Sequence, residues 1–272
     1  MSEDELFAED MRNAMLNMRR YILNSKPHIK KYNHYRKVHA DILESMASYV
    51  FNGKYDFGKY IDELNKDREV SSFENLKGFD LSSDNPDDVS IIAELFVYKN
   101  LKEVPSVTEI YLEKNKFKNA DKVKLLKAMN ESYVGLFKVT DIDFDNAYVT
   151  YEDVFTHKKF KVIDVSMSAF SKVDDDNPIY MYNRVITVDG ISFGTGIHCN
   201  LSYKNKEFRK FLKEHDYNES TDFFRCLTLY EISKKENNKR VRYNTQFWFL
   251  IYESIEGRTW KENLRYLYLV WL

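Results

Sequence analysis

Basic and aromatic side chains are interleaved between residues 11 and 40, and this stretch is the clearest charge anomaly in the sequence. The stretch contains no Asp or Glu, and its basic residues are Arg12, Arg19, Arg20, Lys26, Lys30, Lys31, Arg36 and Lys37. Tyr32 and Tyr35 lie among them. Since cations suit phosphate contacts and rings suit base stacking, the pattern predicts a nucleic-acid-binding surface formed by Arg19, Arg20, Lys30, Lys31, Arg36 and Lys37. The alternative is a solvated helix surface whose charge is balanced by the acidic residues at positions 3–10.

Alternating carboxylates at Asp141, Asp143 and Asp145, followed by Glu152, have the spacing of an EF-hand calcium loop. The sixth position of this loop is Asn146, where a glycine is needed for the sharp turn. The flanking residues alternate as strands do, whereas an EF-hand needs helices. We therefore predict an acidic β-turn and no metal site. A metal-dependent hydrolase using the three aspartates is kept as a third hypothesis.

The remaining candidates for catalysis do not form a recognisable constellation. His28, His34 and His39 are spaced by six and five positions, so no two of them stack on one helix face as zinc ligands do. His198 and Cys199 are adjacent and would point to opposite faces of a strand. Cys199 and Cys226 therefore read as small buried side chains. The sequence predicts no catalytic residue and no cofactor.

A change of hydrophobic period indicates which elements carry these residues. Apolar residues recur every three or four positions up to Tyr133, alternate between Val134 and about Ile197, and return to the helical period after Tyr203. The fold class is therefore α+β, with a helical region at 1–132, a small antiparallel β-barrel or twisted sheet at 133–200, and a mainly helical region at 201–272. Five strands are predicted, at 134–141, 147–155, 159–165, 179–188 and 191–197, as a meander. Asp189-Gly190 is a strong hairpin signal.

Helix boundaries are marked by capping residues. Residues 4–23 form an amphipathic helix, and a second helix runs from about Asn33 to Asn52-Gly53. The apolar stripe of the first helix comprises Phe7, Met11, Ala14, Met15, Met18 and Ile22. Residues 89–98 are apolar nearly all round and should be a buried helix. Ser106 and Asn119 begin two more helices. C-terminal helices are expected at about 204–215 and 220–235, residues 241–252 fit a strand or a helix, and a last stripe comprises Trp260, Leu264, Leu267 and Trp271.

The β block resembles a module of bacterial proteins that carry the SEC-C zinc-binding motif. The residues concerned are 133–139 (YVGLFKV), 148–154 (YVTYEDV), 159–162 (KFKV) and 180–186 (YMYNRVI). The cysteine cluster that defines SEC-C is missing, so zinc does not follow. The resemblance implies a small barrel embedded in a helical bacterial protein.

Composition and charge narrow the function classes. Hydrophobic residues make up 43% and charged residues 31% of the sequence, which is typical of a globular chain. The net charge of −2 does not predict electrostatic attraction of the whole molecule to nucleic acid or to a membrane. Abundant Lys, Asn, Tyr and Phe indicate an AT-rich coding sequence, hence a bacterial or mobile-element source. An acidic N-terminus and two cysteines predict a cytoplasmic protein with no membrane contact. The leading hypothesis is a non-enzymatic protein-interaction or scaffold role, with an unknown protein or a second copy as partner. Nucleic-acid binding by residues 11–40 is the alternative.

Overall fold

The computed structural model describes residues 15, 17–56, 58–60, 62–63, 94–169, 173 and 178–214. The predicted elements at 220–235, 241–252 and 259–272 lie outside this part of the chain, as does Cys226. Within the described part the fold is α+β, with helices first, a curled antiparallel sheet in the middle and one helix after it. No helix there combines the length and apolarity needed to cross a membrane.

The helices begin where capping chemistry permits. Residues 17–25 are helical, and after Lys26 helix α1 spans Pro27–Phe51, six residues earlier than predicted because Pro27 occupies its first turn, where no amide donor is needed. Residues 94–98 are helical, and all five are buried. Helix α2 is Val107–Lys114, with the Ser106 hydroxyl accepting from the Glu109 amide, and α3 is Ala120–Asn130, capped by the Asn119 side chain. The predicted cap at Ser106 and the predicted start of a helix at about Asn119 are confirmed.

The five predicted strands are all present. They are β1 (Tyr133–Asp143), β2 (Tyr148–Asp153), β3 (Lys159–Ile163), β4 (Ile179–Val188) and β5 (Ile191–Ser202). Their order in the sheet is β3-β2-β1-β4-β5, with every neighbouring pair antiparallel. The simple meander is therefore wrong: β4 passes β3 and pairs with β1, placing Met181 opposite Phe137. The outer strands β3 and β5 contact each other, so the sheet curls into a half-barrel.

Apolar side chains fill three clusters around this sheet. Helix α1 packs Ile42 and Met46 into a large core with the β4–β5 hairpin, to which Ile186 and Phe193 contribute. One sheet face carries its own cluster of Phe137, Val139, Val149, Tyr151, Val162, Met181 and Val185. After β5, helix α4 (Lys206–Glu214) buries Phe208 and Phe211 against Leu136 and Leu201 on the opposite face. The sheet is thus covered on one face by α4.

Gly135 in β1 is required by a close approach of the buried Asp153. A Cβ atom at residue 135 would overlap the Asp153 carboxylate, whose other oxygen accepts hydrogen bonds from the Phe155 and Thr156 amides at 3.0 and 2.7 Å. We expect Gly135→Ala to lower the free energy of unfolding by about 1–3 kcal/mol, because the capped turn after β2 must shift. Urea denaturation of the full chain measures this.

Gly58→Ala is the matched control for that substitution. Its added methyl meets nothing closer than 3.5 Å, and residues 58–60 are helical, so the change should be neutral or slightly stabilising. Equal effects of the two substitutions would contradict the role assigned to Gly135.

Candidate functional site

The helical segment 17–25 is fixed to the β domain by Arg19. This side chain is 8% exposed, and its Nε and Nη2 atoms donate to the Phe144 carbonyl oxygen at 3.1 and 2.9 Å. Nη2 also donates to the Ser168 hydroxyl at 2.7 Å, and Nη1 donates to the Val165 carbonyl oxygen at 3.2 Å. The guanidinium lies 4.4 Å from the centre of the Phe144 ring. Arg19 therefore orients the segment, with Leu23 buried on the same side.

The other side of this segment presents large apolar side chains to solvent. Their exposed fractions are 66% for Met15, 67% for Met18, 82% for Tyr21 and 47% for Ile22. Positions 15, 18 and 22 have helical spacing and Tyr21 is adjacent, so the four form one patch, which we call the apolar face. The sequence stripe through Met15, Met18 and Ile22 was correct in its spacing, but it points away from the core, because Arg19 and Leu23 occupy the inward side.

The basic residues of α1 and its approach mostly serve as contacts to turns of the β domain. Lys26 Nζ donates to the Asp145 carbonyl oxygen at 2.7 Å and to the Asn146 side chain at 2.8 Å. Lys31 Nζ donates to the Asp189 carbonyl oxygen. Arg36 Nη1 donates to the Gly194 carbonyl oxygen at 3.1 Å. Positive side chains here therefore satisfy backbone acceptors at the β1–β2 turn, the β4–β5 turn and β5.

The six predicted nucleic-acid-binding residues do not share one surface. Arg19 is buried, Arg36 is partly buried, and Lys31 is exposed but bonded to the β4–β5 turn. Arg20 is exposed on the helical segment. Lys30 and Lys37 are exposed two turns apart on one face of α1, and Asp41 and Glu44 continue that face with opposite charge. Whether these residues bind nucleic acid stays a prediction.

The histidines and acidic turn residues have internal partners. His28 Nε2 is 2.8 Å from the Asn146 carbonyl oxygen, and His34 Nε2 is 2.9 Å from Asp121 Oδ2. The Asp143 carboxylate accepts from the Asn146 amide at 3.0 Å; burial alone would raise its pKa, but the hydrogen bonds from Asn146 outweigh this and lower it. Within the described ranges no three His, Cys, Asp or Glu side chains come together as a metal site.

A buried polar cluster that sequence reasoning missed links three elements. Arg184 of β4 donates from Nε to Glu94 Oε1 at 2.5 Å, and its guanidinium lies 4.7 Å from the centre of the Tyr98 ring. The Tyr98 hydroxyl is 2.7 Å from His39 Nε2 on α1. The exposed fractions are 1% for His39, 5% for Glu94 and 7% for Arg184. This depth favours a structural role, in which the cluster locks the helices onto the sheet.

The protonation states in this cluster follow from burial and neighbouring charge. Burial would lower the pKa of Arg184, but the Glu94 carboxylate more than restores it, so the guanidinium stays charged. Burial, and to a smaller extent the nearby Arg36 charge, lower the pKa of His39 to about 3, so this histidine is neutral at pH 7. One signal could have revealed the pair: Glu94 and Arg184 are lone opposite charges in two otherwise apolar stretches, 89–98 and 179–188.

Comparison with known proteins places this architecture in a family. Searches of curated proteins and of solved structures give no match. The model of one protein family matches residues 26–244, well over half of the chain. The apolar face precedes the matched region, whereas α1, the sheet, the buried cluster and α4 lie within it. The chain therefore belongs to the family of unknown function DUF7986.

Proposed function

We propose that this protein acts through protein–protein interaction and that the apolar face of Met15, Met18, Tyr21 and Ile22 is the binding surface. The exposure of these four side chains is the observation that carries the proposal, since contiguous apolar patches rimmed by polar residues mark interaction sites. The four Arg19 hydrogen bonds support it, because a surface held in place before binding loses less conformational entropy when a partner docks.

A second copy of the chain is the occupant that the charge distribution favours. Residues 3–10 carry the acidic side chains Glu3, Asp4, Glu5, Glu9 and Asp10. The basic block after the apolar face keeps Lys30 and Lys37 exposed on α1, while Lys26, Lys31 and Arg36 are bonded to the β domain. The apolar face lies between these two blocks. Antiparallel pairing of two copies through this face would bring the chain that precedes it in one copy toward the chain that follows it in the other, so the opposite charges of the two blocks favour self-association.

The size of the patch sets the strength of this association. A contact built from four side chains of each copy is small beside specific interfaces, which bury at least about 1,000 Å². We therefore expect a reversible dimer that dissociates on dilution. High salt should weaken it, because part of the attraction is between exposed charges.

Substitution of Met18 tests the proposal. Sedimentation velocity of the full chain over a wide concentration range should show a monomer–dimer equilibrium. Met18→Glu should weaken it about tenfold or more, because each copy would carry a charge into an apolar contact. Met18→Leu should leave it intact, and circular dichroism checks that the variants stay folded.

Asn24→Glu is the control, since it adds the same charge to the same segment away from the apolar face. A wild-type chain that stays monomeric at every concentration overturns the second copy as occupant. A dimer that Met18→Glu and Asn24→Glu weaken equally overturns the apolar face as its interface.

A further inference from the structure

A second surface, on helix α4, carries a different kind of chemistry. While Phe208 and Phe211 are buried against the sheet, the side that faces away from it is basic. Lys206, Lys210 and Lys213 follow each other at helical spacing, Lys204 precedes them, and all four are exposed. Between residue 203 and the end of α4 at residue 214 the sequence has five Lys or Arg residues and two acids, Glu207 and Glu214. We call Lys204, Lys206, Lys210 and Lys213 the basic stripe.

An aromatic ring stands at one end of the basic stripe. Tyr203 is 46% exposed, and its ring stacks on that of Tyr180 with 6.0 Å between centroids and 24° between planes. Arg209 holds this corner: its Nη1 donates to the carbonyl oxygens of Tyr203 at 2.9 Å and Lys204 at 3.1 Å. The Arg209 guanidinium also lies 6.0 Å from the centre of the Tyr203 ring. These contacts fix the position of the ring, and its exposed part is what a base could stack on.

The lysines at the start of α4 are poorly placed for the stability of the helix. Lys206 opens the helix and Lys204 lies two residues before it, so both cations lie near the positive end of the helix dipole. A bound anion would offset this repulsion. Glu207 in the first turn and Lys213 in the last turn suit the helix dipole, so only Lys204 and Lys206 are left without a role in helix stability. Anion binding would account for these two lysines.

We propose that the basic stripe and Tyr203 bind single-stranded nucleic acid, with the lysines contacting phosphates and a base stacking on Tyr203. Such surfaces combine a cationic track with an aromatic platform and bind with little sequence preference. The exposed ring favours a nucleic acid over an acidic peptide, which offers charge but no base to stack. This inference is independent of the proposed dimer, because α4 and the apolar face are separate surfaces.

The test is fluorescence anisotropy of a labelled oligothymidylate with the full chain in a salt series. Each phosphate neutralised on a single strand contributes about 0.7 to the slope of log affinity against log salt, so four lysines predict a slope of up to about −2.8. Lys206→Ala/Lys213→Ala should reduce that slope by about half. Tyr203→Ala should weaken binding about tenfold, whereas Tyr203→Phe, which keeps the ring, should not.

Lys30→Ala/Lys37→Ala on α1 is the matched control and also tests the surface predicted from residues 11–40. Unchanged binding in this control, with loss in the α4 variants, supports the proposal. If only the α1 variant loses oligonucleotide binding, the proposal is overturned, and the surface predicted from residues 11–40 is the binding site. The absence of oligonucleotide binding at low salt also overturns the proposal. Full competition by polyglutamate, together with an unchanged affinity of Tyr203→Ala, overturns it as well, because both results would indicate an acidic polypeptide ligand.

Discussion

Replacing Arg184 with Met should destabilise the fold by about 3–5 kcal/mol, among the largest effects we expect from any single substitution. The Glu94 carboxylate would remain in the core without the guanidinium that now lies 2.5 Å away. The substitution would also remove the contact of the guanidinium with the Tyr98 ring and the hydrogen bond that it donates to the Ser132 hydroxyl at 3.2 Å. Since a cost of this size approaches the whole stability of an ordinary domain, urea denaturation should show a much lower midpoint.

The double variant Glu94→Met/Arg184→Met separates the cost of a stranded charge from a loss of packing. Removing both partners leaves no buried charge from this pair. The double variant should therefore regain much of the free energy of unfolding that Arg184→Met alone loses. Arg20→Met, on an exposed arginine, is the control and should stay within about 0.5 kcal/mol of the parent chain. A double variant that is less stable than Arg184→Met would contradict the interpretation that Glu94 and Arg184 neutralise each other's charge in the core.

The strands, the β4–β5 turn and two helix starts could be predicted from the sequence, because each depends on residues that are close together in the chain. Alternation of apolar residues located all five strands, and Asp189-Gly190 formed its turn with φ of 48° and 77°, the values that this dipeptide tolerates. Ser106 and Asn119 capped helices for the same local reason. The resemblance to SEC-C proteins stays a prediction.

Long-range contacts could not be predicted in the same way. The pairing of β4 with β1 depends on Met181 meeting Phe137 across more than forty residues, and alternation within a strand does not choose its neighbour. The orientation of the segment 17–25 likewise depends on Arg19 finding the Phe144 carbonyl oxygen. Periodicity locates an apolar stripe on a helix. Whether that stripe is buried depends on which side of the helix packs against the rest of the protein.

Acidification should destabilise the protein through His39 before most carboxylates titrate. The native pKa of His39 is about 3, whereas an unfolded histidine has a pKa of about 6.5. Below pH 6.5 the unfolded state therefore binds a proton that the native state rejects, so stability is full above this range and falls as the pH decreases toward 3. From pH 6.5 to about 4.5 this one group should lower the free energy of unfolding by about 2 kcal/mol.

His39→Gln isolates this contribution, because the amide can keep a hydrogen bond with the Tyr98 hydroxyl and carries no titrating proton. Urea denaturation at a series of pH values should give the variant a shallower pH dependence than the parent chain, and all other groups are common to both. His34→Gln, at a side chain of the same helix that is 51% exposed, is the control for replacing an imidazole by an amide. An equally steep decline in His39→Gln would mean that His39 accepts a proton in the native state and that the core around Tyr98 and Arg36 is open to water.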